Sequence, residues 1–204
     1  MTSAGPHLFW ITSRAAGTAA LALSSVSVGV GLSMGGKLMK RRSGDNRVLH
    51  EALSLSVMVA LAIHAFSLLG DKFMHPSVVD ITVPFASSYK TLWMSVGVIA
   101  GWALVALGLS YYLRAKIGVA RWRIIHRFTL VAWIAGLVHS LGMGTDAGQK
   151  WFLALVIVTA APALIFFGAR MAAVYTKRTA GSRAPDVHAR RDPRLHPISQ
   201  EVTR

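Results

Sequence analysis

The chain contains no cysteine. That absence excludes disulfides, iron–sulfur clusters, thiolate-ligated haem and the covalent c-type haem link, which needs C-x-x-C-H. Acid is scarce too: eight Asp and Glu stand against 22 Lys and Arg, giving a formal charge of +14. Charged residues of both signs reach only 15%, against the roughly 25% of an ordinary soluble domain. With 53% hydrophobic residues and a mean hydropathy of +0.49, a soluble fold is excluded.

What the chain does have is long uncharged apolar sequence. A hydrocarbon core about 30 Å thick needs roughly 20 apolar residues as a helix. Ala15–Gly36, Ala52–Gly70, Thr91–Leu113, Phe128–Thr145 and Trp151–Ala169 all qualify, and none contains Asp, Glu, Lys or Arg. The fold expected is all-α, an integral membrane bundle of about five transmembrane helices. Residues 1–175 form the membrane domain, and 176–204 a basic tail expected to be disordered. With five spans, 18 basic residues fall on one side and four on the other (Arg14, Lys72, Lys90, Lys150). The positive-inside rule then places the amino terminus outside and the carboxyl terminus in the cytoplasm. The membrane expected is the bacterial plasma (inner) membrane. So distributed, the charge sets topology, and the lipid bilayer rather than nucleic acid is the partner.

The imidazoles carry the chemistry. His50 and His64 are 14 residues apart in the second span, and His126 and His139 are 13 apart around the fourth. At 1.5 Å per residue the pairs are separated by about 21 and 20 Å along their helices. Both helices run in the same direction, so His50 shares a depth with His126, and His64 with His139. Two such levels suit two haems, each clamped between opposed imidazoles. On an ideal helix 14 residues return to within about 40° of the same face, but 13 leave His139 about 140° from His126. Tilt, or a bulge near Gly136, has to re-aim one ring. Span one is rich in Ser, Gly and Ala, which permits close helix contact or room for a cofactor. Propionates of the first haem would meet Arg47, Arg123 or Arg127, and those of the second Arg14 or Lys72. A metal site without haem would need further ligands at the same depth, and the spans offer none.

Together these residues resemble the ferric reductase-like transmembrane domain, the haem module shared by ferric reductases and NADPH oxidases. The resemblance runs from about Trp10 to Phe167. It rests on Ser13-Arg14-Ala15-Ala16-Gly17, Leu49-His50, His64-Ala65, Asp71, Val83-Pro84-Phe85, Trp122-Arg123-x-x-His126, and His139 followed by Gly144-Thr145-Asp146. The resemblance implies unequal 14 and 13 spacings and two haems b, with His50, His64, His126 and His139 as iron ligands in the pairs His50–His126 and His64–His139. About 35 residues follow Arg170, without a G-x-G-x-x-G-type motif, so the chain is expected to bind no nicotinamide itself. Stand-alone members, such as the haem subunit feeding a bacterial periplasmic methionine sulfoxide reductase, are the nearer analogy.

The function expected is transmembrane electron transfer, as an oxidoreductase component without a catalytic residue of its own. The donor is a flavin reductase, bringing FMN or FAD, or a quinol, and the acceptor is external. Two other readings stand beside it: a haem-free histidine-dependent transporter or proton conductor, and a relative of quinol-linked cytochrome b.

Overall fold

A computed structural model describes residues 7–35 and 43–183. All the regular structure among them is helical: α1 (Leu8–Gly35), α2 (Ser43–Leu69), α3 (Val78–Thr82), α4 (Thr91–Leu109), α5 (Arg114–Ile117), α6 (Val119–His126), α7 (Thr129–Met143) and α8 (Lys150–Arg183). Five segments are long and apolar enough to cross a membrane: α1, α2, α4, α6 with α7, and α8. The chain is an integral membrane protein.

The boundaries move where a charge finds a partner or a turn tightens. Helix α1 begins seven residues before the expected Ala15 and carries Arg14 within it. The Arg14 fork takes up Asp146, so the charge enters the helix already compensated. Helix α4 stops at Leu109, four residues short of the expectation. Successive i→i+3 bonds from Tyr111 to Arg114 then tighten the chain into α5. The segment 114–127, between the third and fourth expected spans, is largely helical, with Gly118 at φ 90° separating α5 from α6. Only glycine holds that backbone angle without strain.

The fourth span is broken, which the sequence did not show. Arg127 and Phe128 leave the helix through i→i+3 bonds to Ile124 and Ile125, at 3.2 and 3.0 Å. His126 therefore ends α6 while His139 belongs to α7. Gly136, the expected site of a bulge, lies inside regular α7. Leu130 adds a third such bond, to Arg127 at 3.2 Å; turns of the 3₁₀ kind advance about 20° more per residue than an α-helix, so three of them remove about 60° of the 140° mismatch.

Helices α1, α2, α4 and α7 pack around the histidines, with α1 against both α2 and α7 and α4 against both α7 and α2. Close packing needs small residues, and α1 supplies buried Ser13, Ala20, Ser24, Ser25 and Ser27. The core joins Val28 of α1, Trp133 of α7 and Ala160 and Ala163 of α8. Trp133 is 1% exposed, and its indole N–H donates to Ser25 Oγ at 3.0 Å. In a bilayer such a polar tie contributes about 0.6–2 kcal/mol. The chain divides after Phe167 into two compact units. The tail expected from residue 176 begins as helix, which runs to Arg183; residues 184–204 lie outside the described part.

Candidate functional site

His50 and His126 face each other, ring centroids 6.2 Å apart and planes at 88°. Two metal–imidazole bonds of about 2 Å, with two ring radii of roughly 1.2 Å, add to a little over 6 Å. This is the separation of two axial imidazoles on one ion. His64 on α2 and His139 on α7 are the second pair expected from the sequence. We call the first pair the collar level, for the basic residues beside it, and the second the far level. Among the described residues no third His, Asp or Glu joins either pair as a ligand group.

Three of the four rings are seated in the same way. His50 Nδ1 lies 3.0 Å from the Ser27 carbonyl, His64 Nδ1 2.8 Å from that of Ser13, and His139 Nδ1 2.8 Å from that of Trp93. A carbonyl accepts, so Nδ1 carries the proton and the Nε2 lone pair remains for a ligand. In every case the residue four positions after the carbonyl is glycine: Gly31, Gly17 and Gly97. That is the next turn of the same helix face. A Cβ on Gly17 would lie 2.9 Å from His64 Nδ1, and one on Gly31 3.2 Å from His50 Cε1. One on Gly97 would run into the His139 ring. The glycines are there so that an imidazole can reach a helix backbone. The two seats on α1, Ser13/Gly17 and Ser27/Gly31, are themselves 14 residues apart and meet α2 in antiparallel register. Their hydroxyls also touch Nδ1, at 3.0 Å for Ser13 with His64 and 3.1 Å for Ser27 with His50.

His126 is held differently. Its Nδ1 is buried without a hydrogen-bond partner. It faces the Leu107 carbonyl near the end of α4 without closing a regular hydrogen bond, and that oxygen also accepts the Ser110 hydroxyl at 2.6 Å. Four residues after Leu107 stands Tyr111 rather than glycine. The ring stacks instead on Trp122, centroids 5.0 Å apart and planes at 26°. Trp122 in turn meets Tyr111 and donates its N–H to Ser110 Oγ at 3.1 Å.

The collar-level cleft is walled by Ser24, Ser27, Ser54, Gly108 and Thr129 among others, and encloses about 40 Å³. That holds a water. A planar macrocycle would need the walls to part, and Met58 lines one of them. Its Cε rests against Gly108, where a Cβ would collide with it, and methionine repacks readily. The donor set, two opposed imidazoles, is the one a haem takes, while the cleft as it stands has room for no more than a water.

Of the expected propionate partners, Arg47, Arg123 and Arg127 are exposed beside the collar level. Arg47 and Arg123 stand three residues before His50 and His126, on the same helix faces. Arg14 is otherwise engaged: its Nε donates to Asp146 Oδ2 at 3.0 Å, Nη2 binds Oδ1, and its guanidinium lies 4.1 Å over Trp10. Lys72 is exposed. Sequence reasoning missed the role of Asp146, seven residues after His139, and of the seats. Asp71, seven residues after His64, is 2% exposed, with Oδ1 accepting the Phe73 N–H and Oδ2 buried and unpartnered. The signal for the seats was present as Ser-x-x-x-Gly repeated 14 residues apart, matching the histidine spacing.

No family model, curated protein or solved structure matches the chain.

Proposed function

We propose that this chain is the haem-bearing membrane component of an electron-transfer system, of the ferric reductase-like kind. The observation that carries the reading is the repeated seat. Three imidazoles present Nε2 from a fixed tautomer at two depths, and the fourth completes the collar pair. Two nitrogens cannot satisfy a bare ion that wants four or six donors, whereas a macrocycle brings its own four.

His50 with His126, and His64 with His139, would hold two haems b, which when bound supply one-electron transfer at a saturated iron. The protein's own work is to fix the rings, keep water from them and place the levels. The Nδ1–carbonyl bonds fix the tautomer and raise the basicity of Nε2. Helices α1 and α2 set the levels about 21 Å apart along the chain axis. Arg47, Arg123 and Arg127 compensate carboxylates at the collar level. Eighteen basic residues on the collar side support a cytoplasmic collar. Electrons from a flavin reductase or quinol would then leave to an external acceptor, in the direction an inside-negative potential favours by about 2.3 kcal/mol per 100 mV.

The test is a reduced-minus-oxidised spectrum with pyridine-haemochrome quantitation on the purified protein. Two equivalents are expected, falling to about one in His64→Ala, with reduction by dithionite but not by NADPH. Folded protein without haem, made in cells rich in haem, refutes the proposal.

A further inference from the structure

We infer that residues 77–86 are an interfacial segment rather than an aqueous loop, and that the partner of their exposed apolar side chains is the acyl region of the leaflet on the far-level side.

Two hydrogen bonds fix the depth. Helix α4 has 19 residues, about 28 Å at 1.5 Å per residue, which is barely the roughly 30 Å of a hydrocarbon core. Its first residue, Thr91, therefore stands at the membrane boundary, and later positions lie inside. The Phe85 N–H donates to Ser95 Oγ at 2.7 Å. Ser95 is buried and four residues into α4, about 6 Å below Thr91. The Trp102 indole N–H donates to the Thr82 carbonyl at 2.9 Å. Trp102 stands eleven residues in, about 16 Å down, and an indole reaches back roughly 6 Å toward the helix start. Both bonds place the segment about 6–10 Å inside the boundary, the depth at which interfacial helices lie.

The backbone is prepared for that depth. Lipid offers no partner to a free N–H. Those of Ser77, Asp80, Ile81, Val83, Phe85 and Ala86 all donate within the chain, and Pro84 has none. Phe85 makes its bond at φ 66°, a left-handed angle that an aqueous loop would leave to glycine. Val78, Val79, Val83 and Phe85 are exposed, and continue the exposed apolar surface of α4 at Ile99 and Trp102. Asp80 is the one charge between positions 77 and 89, and its carboxylate accepts the Ser77 N–H and hydroxyl. An interfacial helix keeps such a charge at headgroup level while its apolar side chains enter the acyl region.

The bundle gives this segment a task. At the far level Arg14 and Asp146 clasp α1 to the end of α7. Asp71 follows His64 by seven residues, as Asp146 follows His139. Yet the residue after the Trp93 seat is Met94, where Arg14 follows the Ser13 seat. Among the described residues no ion pair joins α2 to α4. Helix α3 touches both of them instead. It straps that seam, and lipid against its outer face keeps it there.

Because the chain has no cysteine, single introduced cysteines can carry a spin label without background. In phosphatidylcholine vesicles, labels at Val79→Cys and Val83→Cys should relax more with dissolved oxygen, which concentrates among acyl chains, than with a water-soluble nickel chelate. Their oxygen-to-nickel ratio should approach that of Ile157→Cys on α8 and exceed that of Lys72→Cys about threefold. Trp102→Phe keeps a ring and removes the N–H, and should lower the ratio at 79 and 83 about twofold while leaving 157 unchanged. Ser95→Ala, at the other tie, should act in the same direction. Ratios at 79 and 83 equal to that at 72 mean water and overturn the inference. So does protection from both probes, which means a protein partner in place of lipid, or a ratio that neither Trp102→Phe nor Ser95→Ala moves.

Discussion

The far level and the collar level hold the same pair of side chains by different means. At the far level each ring reaches a helix carbonyl over a glycine, and the Arg14–Asp146 pair ties α1 to the chain just beyond α7. At the collar level one ring is held so, while the other rides a short helix between a glycine and a break. The difference originates in α4. Its first turns offer Trp93 and Gly97 within a regular ladder, whereas its last offers Leu107 with Tyr111 where glycine would be needed. The comparison shows that an imidazole in a membrane is fixed less by its own helix than by the neighbour it can touch.

The largest expected effect comes from closing the seats. Ala at position 97 puts a methyl into the His139 ring, and overpacking of this kind costs about 1–3 kcal/mol. Replacing a helical glycine by alanine returns up to about 1 kcal/mol, so the balance at Gly97 is negative. Gly97→Ala should lower the melting temperature and, on the proposed function, lose the far-level haem. Gly17→Ala should do so more weakly, and Gly31→Ala, with 3.2 Å to the ring, should be close to neutral. Gly101→Ala, which meets nothing within 4 Å, is the control and should be slightly stabilising. Haem content and thermal melts read all four, and equal behaviour of Gly97 and Gly101 would remove the seat from the argument.

A smaller effect is expected at the ion pair. The Arg14 side chain is 33% exposed and Asp146 14%, so water screens the pair in part. Breaking one partner of a fully buried pair costs about 3–5 kcal/mol, and partial exposure reduces this to about 1–2. Asp146→Asn and Arg14→Gln should each destabilise by that amount, and the double variant by less than their sum. Strict additivity in a melting-temperature cycle would show that the pair does not clasp the far level.

The smallest effect is a pH dependence outside the spans. The Ser77 hydroxyl, and then its backbone N–H, hold the Asp80 carboxyl below the usual carboxylate range, closing the capping box of α3. A lowered value means the cap is fully present above the ordinary carboxylate range and is lost as pH falls through the lowered one. Amide shifts of Ser77 and Asp80 should titrate below that range while those of α7 stay still. A midpoint at the ordinary value would contradict it.

Much of this was legible in sequence. The spans read directly because uncharged runs of that length have few other uses, and the histidine pairs read because 14 and 13 residues are nearly equal rises. The Arg127–Phe128 break did not read, since neither proline nor glycine marks it. Nor did the start of α1, because the partner that lets Arg14 enter the helix lies 132 residues away. The small residues of α1 were visible as a composition, but which of them face an imidazole depends on the register with α2.

That register has a consequence for how the chain can vary. Both α1 seats belong to one continuous helix, and both face histidines of one other helix. Substitutions between Gly17 and Ser27 alter packing one residue at a time. A single insertion or deletion there would turn one seat about 100° and shift it 1.5 Å relative to the other. One histidine would then face a side chain instead of a bare backbone. The stretch is therefore free in its letters and fixed in its count, a ruler whose marks are two missing methyl groups.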